Sequence, residues 1–129
     1  MTLNLENNSI RSNGAQALSH MLKTTSTLTT LNLQNNLISD NGAQALSEAL
    51  KINSSLTTLN LKSNLIGDSG AQTLAQALKS NSSPTTLDLR RNNGFGGTLA
   101  LVLHFAQDTA RLFPSVVVIP VISDNLIND

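Results

Sequence analysis

Two periods alternate along the chain. In Thr30-Leu31-Asn32-Leu33-Gln34 the apolar and polar residues alternate, which places Leu31 and Leu33 on one face of an extended segment and the polar residues on the other. This predicts a short strand. Beyond Asn36 and Ile38, the residues Ala43, Leu46, Ala49 and Leu50 fall at helical spacing and predict a helix over roughly residues 41–51. The whole stretch 28–55 recurs almost unchanged as 56–83, differing only at 34/62, 35/63, 39/67, 41/69, 45/73, 47/75, 48/76 and 52/80. Leu31, Leu59 and Leu87 stand 28 residues apart, and a fixed period of this size signals a stack of repeats.

One strand–helix unit cannot bury Leu31, Leu33, Ile38, Leu46 and Leu50 by itself, so stability must come from stacking neighbours. Helices are wider than the spacing between strands, so the stack is expected to curve with its strands on the inside. Ser12, Asp40 and Asp68 share one repeat position and are expected to cap the helices they precede. Lys23, Lys51 and Lys79 oppose the negative end of the helix dipole, and Asn53 and Asn81 are expected to close helices in the left-handed conformation. The leucines and asparagines shared by the two near-identical units read as scaffold.

The pattern LxxLxLxxNxI over 28–38, continuing as GAxxLxxAL over 42–50, resembles the leucine-rich repeat of the ribonuclease-inhibitor type. The resemblance covers residues 1 to about 92. It implies an α/β fold, a curved solenoid with parallel strands on the concave face and helices on the convex face. It also implies that Asn8, Asn36, Asn64 and Asn92 form a ladder bonding the backbone of adjacent turns.

A single domain over 1–129 is expected, with units at about 1–27, 28–55 and 56–83, an irregular unit over 84–116 and a partial one over 117–129. In the fourth unit Gly94 replaces the isoleucine of the earlier units, and Phe95 is expected to fill its place. Leu99, Val102, Leu103, Ala106 and Ala110 then predict a longer apolar helix running on to Phe113. With a five-residue slip, Pro120 and Ile122 align with Leu31 and Leu33, which predicts a fifth strand and turn. Both ends then fall inside a repeat, and the expectation is an excerpt of a longer array, with a degenerate cap at the last strand as the alternative.

Composition narrows the function. Eight basic and eight acidic residues cancel without forming a basic run, so neither nucleic acid nor an anionic membrane is an expected partner. The apolar stretches near 99–106 and 116–122 fall short of the roughly 20 residues a spanning helix needs. The absence of cysteine, and of a charged and apolar leader after Met1, points to the cytoplasm as the expected location.

Chemistry is sparse. His20 and His104 have no second donor at ligand spacing, so no metal or other cofactor is expected. The glycines at 94, 96 and 97 precede a predicted helix but lack the Lys-Ser/Thr of a phosphate loop. The acidic residues are dispersed, and no carboxylate pair suits acid–base catalysis. An enzyme is not expected.

The outward strand positions carry more information. They read Thr2, Asn4, Glu6, then Thr30, Asn32, Gln34, then Thr58, Asn60, Lys62, then Thr86, Asp88, Arg90, and last Ile119, Val121, Ser123. The third column passes from negative to positive, with Arg91 adjacent, and such a gradient would orient a ligand lying across the face. The expected contact residues are Glu6, Gln34, Lys62, Asp88, Arg90, Arg91, Ile119 and Val121. Replacing Arg90 by alanine is expected to spare the fold. The family resemblance implies a non-enzymatic module that binds a protein or peptide. Two alternatives stand beside it: a GTPase regulator of the Ran-activating type, and self-association through open solenoid ends.

Overall fold

The computed structural model of the chain describes residues 1–80, 86–93 and 117–119. The elements run β1 (Thr2–Asn4), α1 (Arg11–Leu22), β2 (Thr30–Asn32), α2 (Asp40–Leu50), β3 (Thr58–Asn60), α3 (Asp68–Ser80), β4 (Thr86–Asp88) and β5 (Val117–Ile119). The strands form one parallel sheet in sequence order. Thr2, Thr30, Thr58 and Thr86 stand in one register row, and Leu3, Leu31, Leu59 and Leu87 in the next. β1, β2 and β3 are each followed by a return helix, and α2 packs between α1 and α3. This is the α/β repeat architecture that the two alternating periods predict, with α2 over 40–50 instead of 41–51.

The core lies between the sheet and the helices. Leu31, Leu33, Ile38, Leu46 and Leu50, and their counterparts Leu59, Leu61, Ile66, Leu74 and Leu78, are all fully buried. Gly42 allows the helices to approach closely. A Cβ there would lie 2.6 Å from Ile38 Cγ2 and 3.1 Å from Ala15 Cβ on α1.

The asparagine ladder joins the repeats through their backbones. Asn36 is completely buried; its Oδ1 accepts from the amides of Asn8 (2.8 Å) and Ile10 (3.3 Å), and its Nδ2 donates to the Leu5 carbonyl at 2.9 Å. Asn64 repeats the arrangement, accepting from the Asn36 and Ile38 amides and donating to the Leu33 carbonyl. Asn92 Oδ1 accepts from the Ile66 amide, and its Nδ2 donates to the Leu61 carbonyl. The residue before each ladder asparagine takes the left-handed conformation: Asn7, Asn35, Ser63 and Arg91 have φ between 57° and 63°. That turn aims the following side chain into the stack.

The helix caps differ from expectation. The N-cap of α2 is Ser39, and Asp40 is the helix's first residue. Asp40 Oδ1 accepts from the amides of Gly67 (2.7 Å) and Gly70 (3.1 Å), so it caps α3, the helix of the next repeat. Ser12 acts likewise: its Oγ accepts from the Gly42 amide at 3.1 Å and pairs with Ser39 Oγ at 2.8 Å. Stacking sets the free amides of one helix beside the first turn of its predecessor, and that geometry decides which helix is capped.

The C-terminal ends follow the same rule. Lys23 and Lys51 occupy the C-caps of α1 and α2 in right-handed conformation, and Asn53 is not left-handed. Asn53 is buried, donating to the Leu22 carbonyl at the end of α1 (2.8 Å) while its Oδ1 accepts from the Ser55 and Leu56 amides. It closes the helix of the preceding repeat.

β5 exists, but in another register. Val118 pairs with Leu87 and Ile119 with Asp88, so the strand is shifted by two residues from the alignment that set Pro120 against the leucine row. A two-residue slip preserves which positions share a face, so alternation cannot distinguish the two registers. Asp68, like Asp40, is the first residue of its helix, and the amides at the start of α3 go to Asp40. The expected Phe95 anchor, the apolar helix to Phe113, Asn81, and the turn after residue 120 lie outside the described residues.

Two substitutions separate core from cap. Leu59→Ala should lower unfolding stability by about 2–5 kcal/mol through the cavity it leaves, measured by urea titration. Asp40→Ala should cost about 1 kcal/mol, whereas Asp40→Asn, which keeps the acceptor oxygen, should lose only part of that.

Candidate functional site

The solvent-facing side of the sheet carries the polar columns. Inward leucines alternate with half-buried Thr30, Asn32, Thr58 and Asn60, so the polar side chains of successive repeats lie in rows. The second column first serves the backbone. The side-chain oxygens of Asn4, Asn32, Asn60 and Asp88 accept from the amides two residues on, those of Glu6, Gln34, Lys62 and Arg90, at 2.9–3.1 Å. Such a bond is a local turn that ends each strand.

The same asparagines reach sideways. Asn32 Nδ2 donates to Glu6 Oε1 and Asn60 Nδ2 to Gln34 Oε1, each at 3.2 Å. Glu6 and Gln34 are thus engaged by the next repeat, and both can serve because each offers an oxygen acceptor.

At the third repeat the relay changes. Lysine at 62 has no acceptor, and aspartate at 88 has no donor, so both halves of the lateral bond are exchanged together. Asp88 pairs instead within its own repeat, with Arg90 Nη2 at 2.8 Å from Oδ2 and Nε at 3.0 Å from Oδ1. This is a bidentate guanidinium–carboxylate pair around a nearly buried aspartate. Lys62 Nζ makes no hydrogen bond or ion pair among the described residues. The charge gradient along the third column therefore resolves into two engaged acceptors, one half-buried lysine and one arginine committed to Asp88.

Arg91 sits off the strand, exposed in the left-handed turn that Asn7, Asn35 and Ser63 occupy in the other repeats. Ile119 stands in register with Asp88 at the fifth strand, and Val121 lies outside the described residues. His20 is exposed in the last turn of α1, and His104 lies outside the described residues. Among the described residues no group of His, Cys, Asp or Glu could hold a metal ion, and no helix is long and apolar enough to cross a membrane.

A second surface was hidden in the repeat pattern. Leu37 and Leu65 match each other and read as scaffold, yet they are 39% and 43% exposed. With Arg11, Ser12, Asn13 and Ser39 they line a shallow cavity of about 410 Å³ on the edge where strands give way to helices. The available signal was positional. Their counterparts in the flanking repeats are Ser9 and Asn93, polar residues that a core position would not accept.

Comparison with known proteins adds the following. A family model described as leucine rich repeat matches residues 1–19, 25–47 and 53–75. Among solved structures, actin-binding site 2 of leiomodin-1 superposes with a TM-score of 0.82 at 22% identity, covering 93% of this chain and 69% of that one. The C-terminal domain of tropomodulin from Caenorhabditis elegans superposes with a TM-score of 0.79 at 17% identity, covering 93% and 72%. No curated protein matches. Identities this low establish a shared fold.

The two cations of the strand face should behave differently. Lys62→Gln should change stability by no more than about 0.5 kcal/mol. Arg90→Ala, which strips a nearly buried carboxylate of its bidentate partner, should cost about 1–3 kcal/mol. Parallel denaturant titrations check both. The pair with Asp88 gives Arg90 a structural role in addition to the contact role expected of it.

Proposed function

This chain belongs to the leucine-rich repeat family, and on that premise we propose that it is a non-enzymatic interaction module whose strand face receives a protein or peptide. The observation that carries the reading is the state of the third column. Glu6, Gln34 and Arg90 are engaged within the stack, while Lys62 stands among them with no partner among the described residues. A rigid sheet that already satisfies its own polar groups loses little freedom on binding. A single uncommitted ammonium in such a row selects a partner that brings a carboxylate.

The remaining expected contacts fall into supporting roles in this reading. Asp88, Arg90, Glu6 and Gln34 form the polar floor of this face, and Ile119 stands in register with Asp88 at the fifth strand. Arg91 bounds the face at the turn. Four strand steps of about 4.8 Å span roughly 20 Å, which suits a segment of a larger interface. The 28-residue period and the ladder asparagines support the ribonuclease-inhibitor type of repeat, and the cysteine-free composition fits a cytoplasmic setting.

The actin-binding site of leiomodin-1, which shares this fold, makes actin the first partner to try. Co-sedimentation with filamentous actin, and fluorescence titration with monomeric actin, should show binding by the natural chain. Lys62→Glu should weaken it by about tenfold or more. No binding to either form of actin would remove actin as the partner. Binding that Lys62→Glu leaves unchanged would remove the strand face as the site.

A further inference from the structure

We propose that the edge between the strands and the helix starts is a second docking surface, which takes an extended acidic segment of a partner protein. In this arrangement an apolar side chain seats between Leu37 and Leu65, and a neighbouring carboxylate meets the Arg11 guanidinium. The surface is distinct from the strand face and does not depend on how that face is used.

Three observations converge on that edge. First, Leu37 and Leu65 occupy the same position in successive repeats and are two of the four large hydrophobic residues exposed among the described residues. Both line the cavity of about 410 Å³. The pair of leucines one repeat apart makes an apolar strip between polar counterparts, Ser9 and Asn93, in the flanking repeats.

Second, Leu37 is held at a backbone angle that leucine disfavours. Its φ is 61°, in the left-handed region where a bulky side chain carries a steric penalty that asparagine or glycine largely escapes. Leu37 is not among the buried residues of the closed core, so core packing does not account for leucine there.

Third, the electrostatics of the cavity are one-sided. Arg11 is exposed, and its guanidinium makes no ion pair or hydrogen bond among the described residues. The starts of α1 and α2 border the same cavity and add the positive ends of their dipoles. The carboxylate of Asp40, close by on α2, is turned onto the Gly67 and Gly70 amides of α3. Among the described residues no acidic residue lines the cavity. An apolar strip under a positive field selects a ligand that is apolar and anionic together, which argues for an acidic segment over a basic or neutral one.

The test is an NMR titration of the isotopically labelled chain with the blocked peptide acetyl-Glu-Leu-Ala-Leu-Glu-amide, taken to about 10 mM to reach millimolar affinities. Shift changes should centre on the amides of Arg11, Leu37 and Leu65, and should shrink when glutamine replaces both glutamates of the peptide. Arg11→Gln should weaken binding about threefold to tenfold, the scale of one exposed charge pair. Leu37→Asn should abolish binding while leaving the melting temperature unchanged or raised, because asparagine suits the left-handed backbone. Absence of shifts at this edge, shifts centred on Thr30 to Lys62 instead, or equal affinity for the glutamine peptide would overturn the proposal.

Discussion

Every interior repeat is completed by hydrogen bonds from its neighbour. The ladder asparagines accept amides and supply donors across the repeat boundary, as when Asn64 holds the Asn36 and Ile38 amides and the Leu33 carbonyl. Asp40 and Ser12 cover the free amides of the next helix, and Asn53 covers the last carbonyl of the previous one. These backbone groups lie where water is largely excluded, and a buried group left unmade costs about 1–3 kcal/mol. Removing one repeat would orphan several such groups at once. The leucine core supplies the drive to stack, and the polar bridges fix the spacing and register of the stack.

That division of labour leaves few side chains available for recognition. On the strand face, the asparagine column is doubly occupied, closing its own turn and reaching to Glu6 or Gln34. The relay ends where lysine replaces the acceptor at 62 and aspartate replaces the donor at 88. Because Asp88 turns to Arg90, the exchange leaves Lys62 outside the network. On the edge, Leu37, Leu65 and Arg11 stand outside the scaffold in the same sense. Both surfaces arise at positions where a repeat departs from what stacking demands.

Much of this was legible in the residues. The alternation in Thr30 to Gln34 and the helical spacing from Ala43 to Leu50 predict the strand and helix of each unit, because the period of a buried stripe follows directly from backbone geometry. The positions of Leu31, Leu33 and Ile38 in the core follow from the same argument. The contact columns could be written down as rows, though which members were engaged could not. Leu37 and Leu65 show the limit plainly: repetition marked them as scaffold, but repetition preserves any feature of a unit, exposed or buried.

The sequence by itself determined the period, the strand–helix alternation and the chemical identity of the caps and ladder residues. Only the tertiary structure decided whom those residues serve. Asp40 and Asn53 were recognisable as helix-ending residues, yet each acts on a neighbour's helix, because the distance of one stacked repeat brings foreign amides and carbonyls closer than those of its own chain segment. The register of Val117–Ile119 has the same origin, since a two-residue slip leaves the in–out pattern intact and only pairing with β4 distinguishes the alternatives. A one-dimensional pattern specifies which kinds of bond a side chain can make. The partner is set by the three-dimensional spacing of the stack.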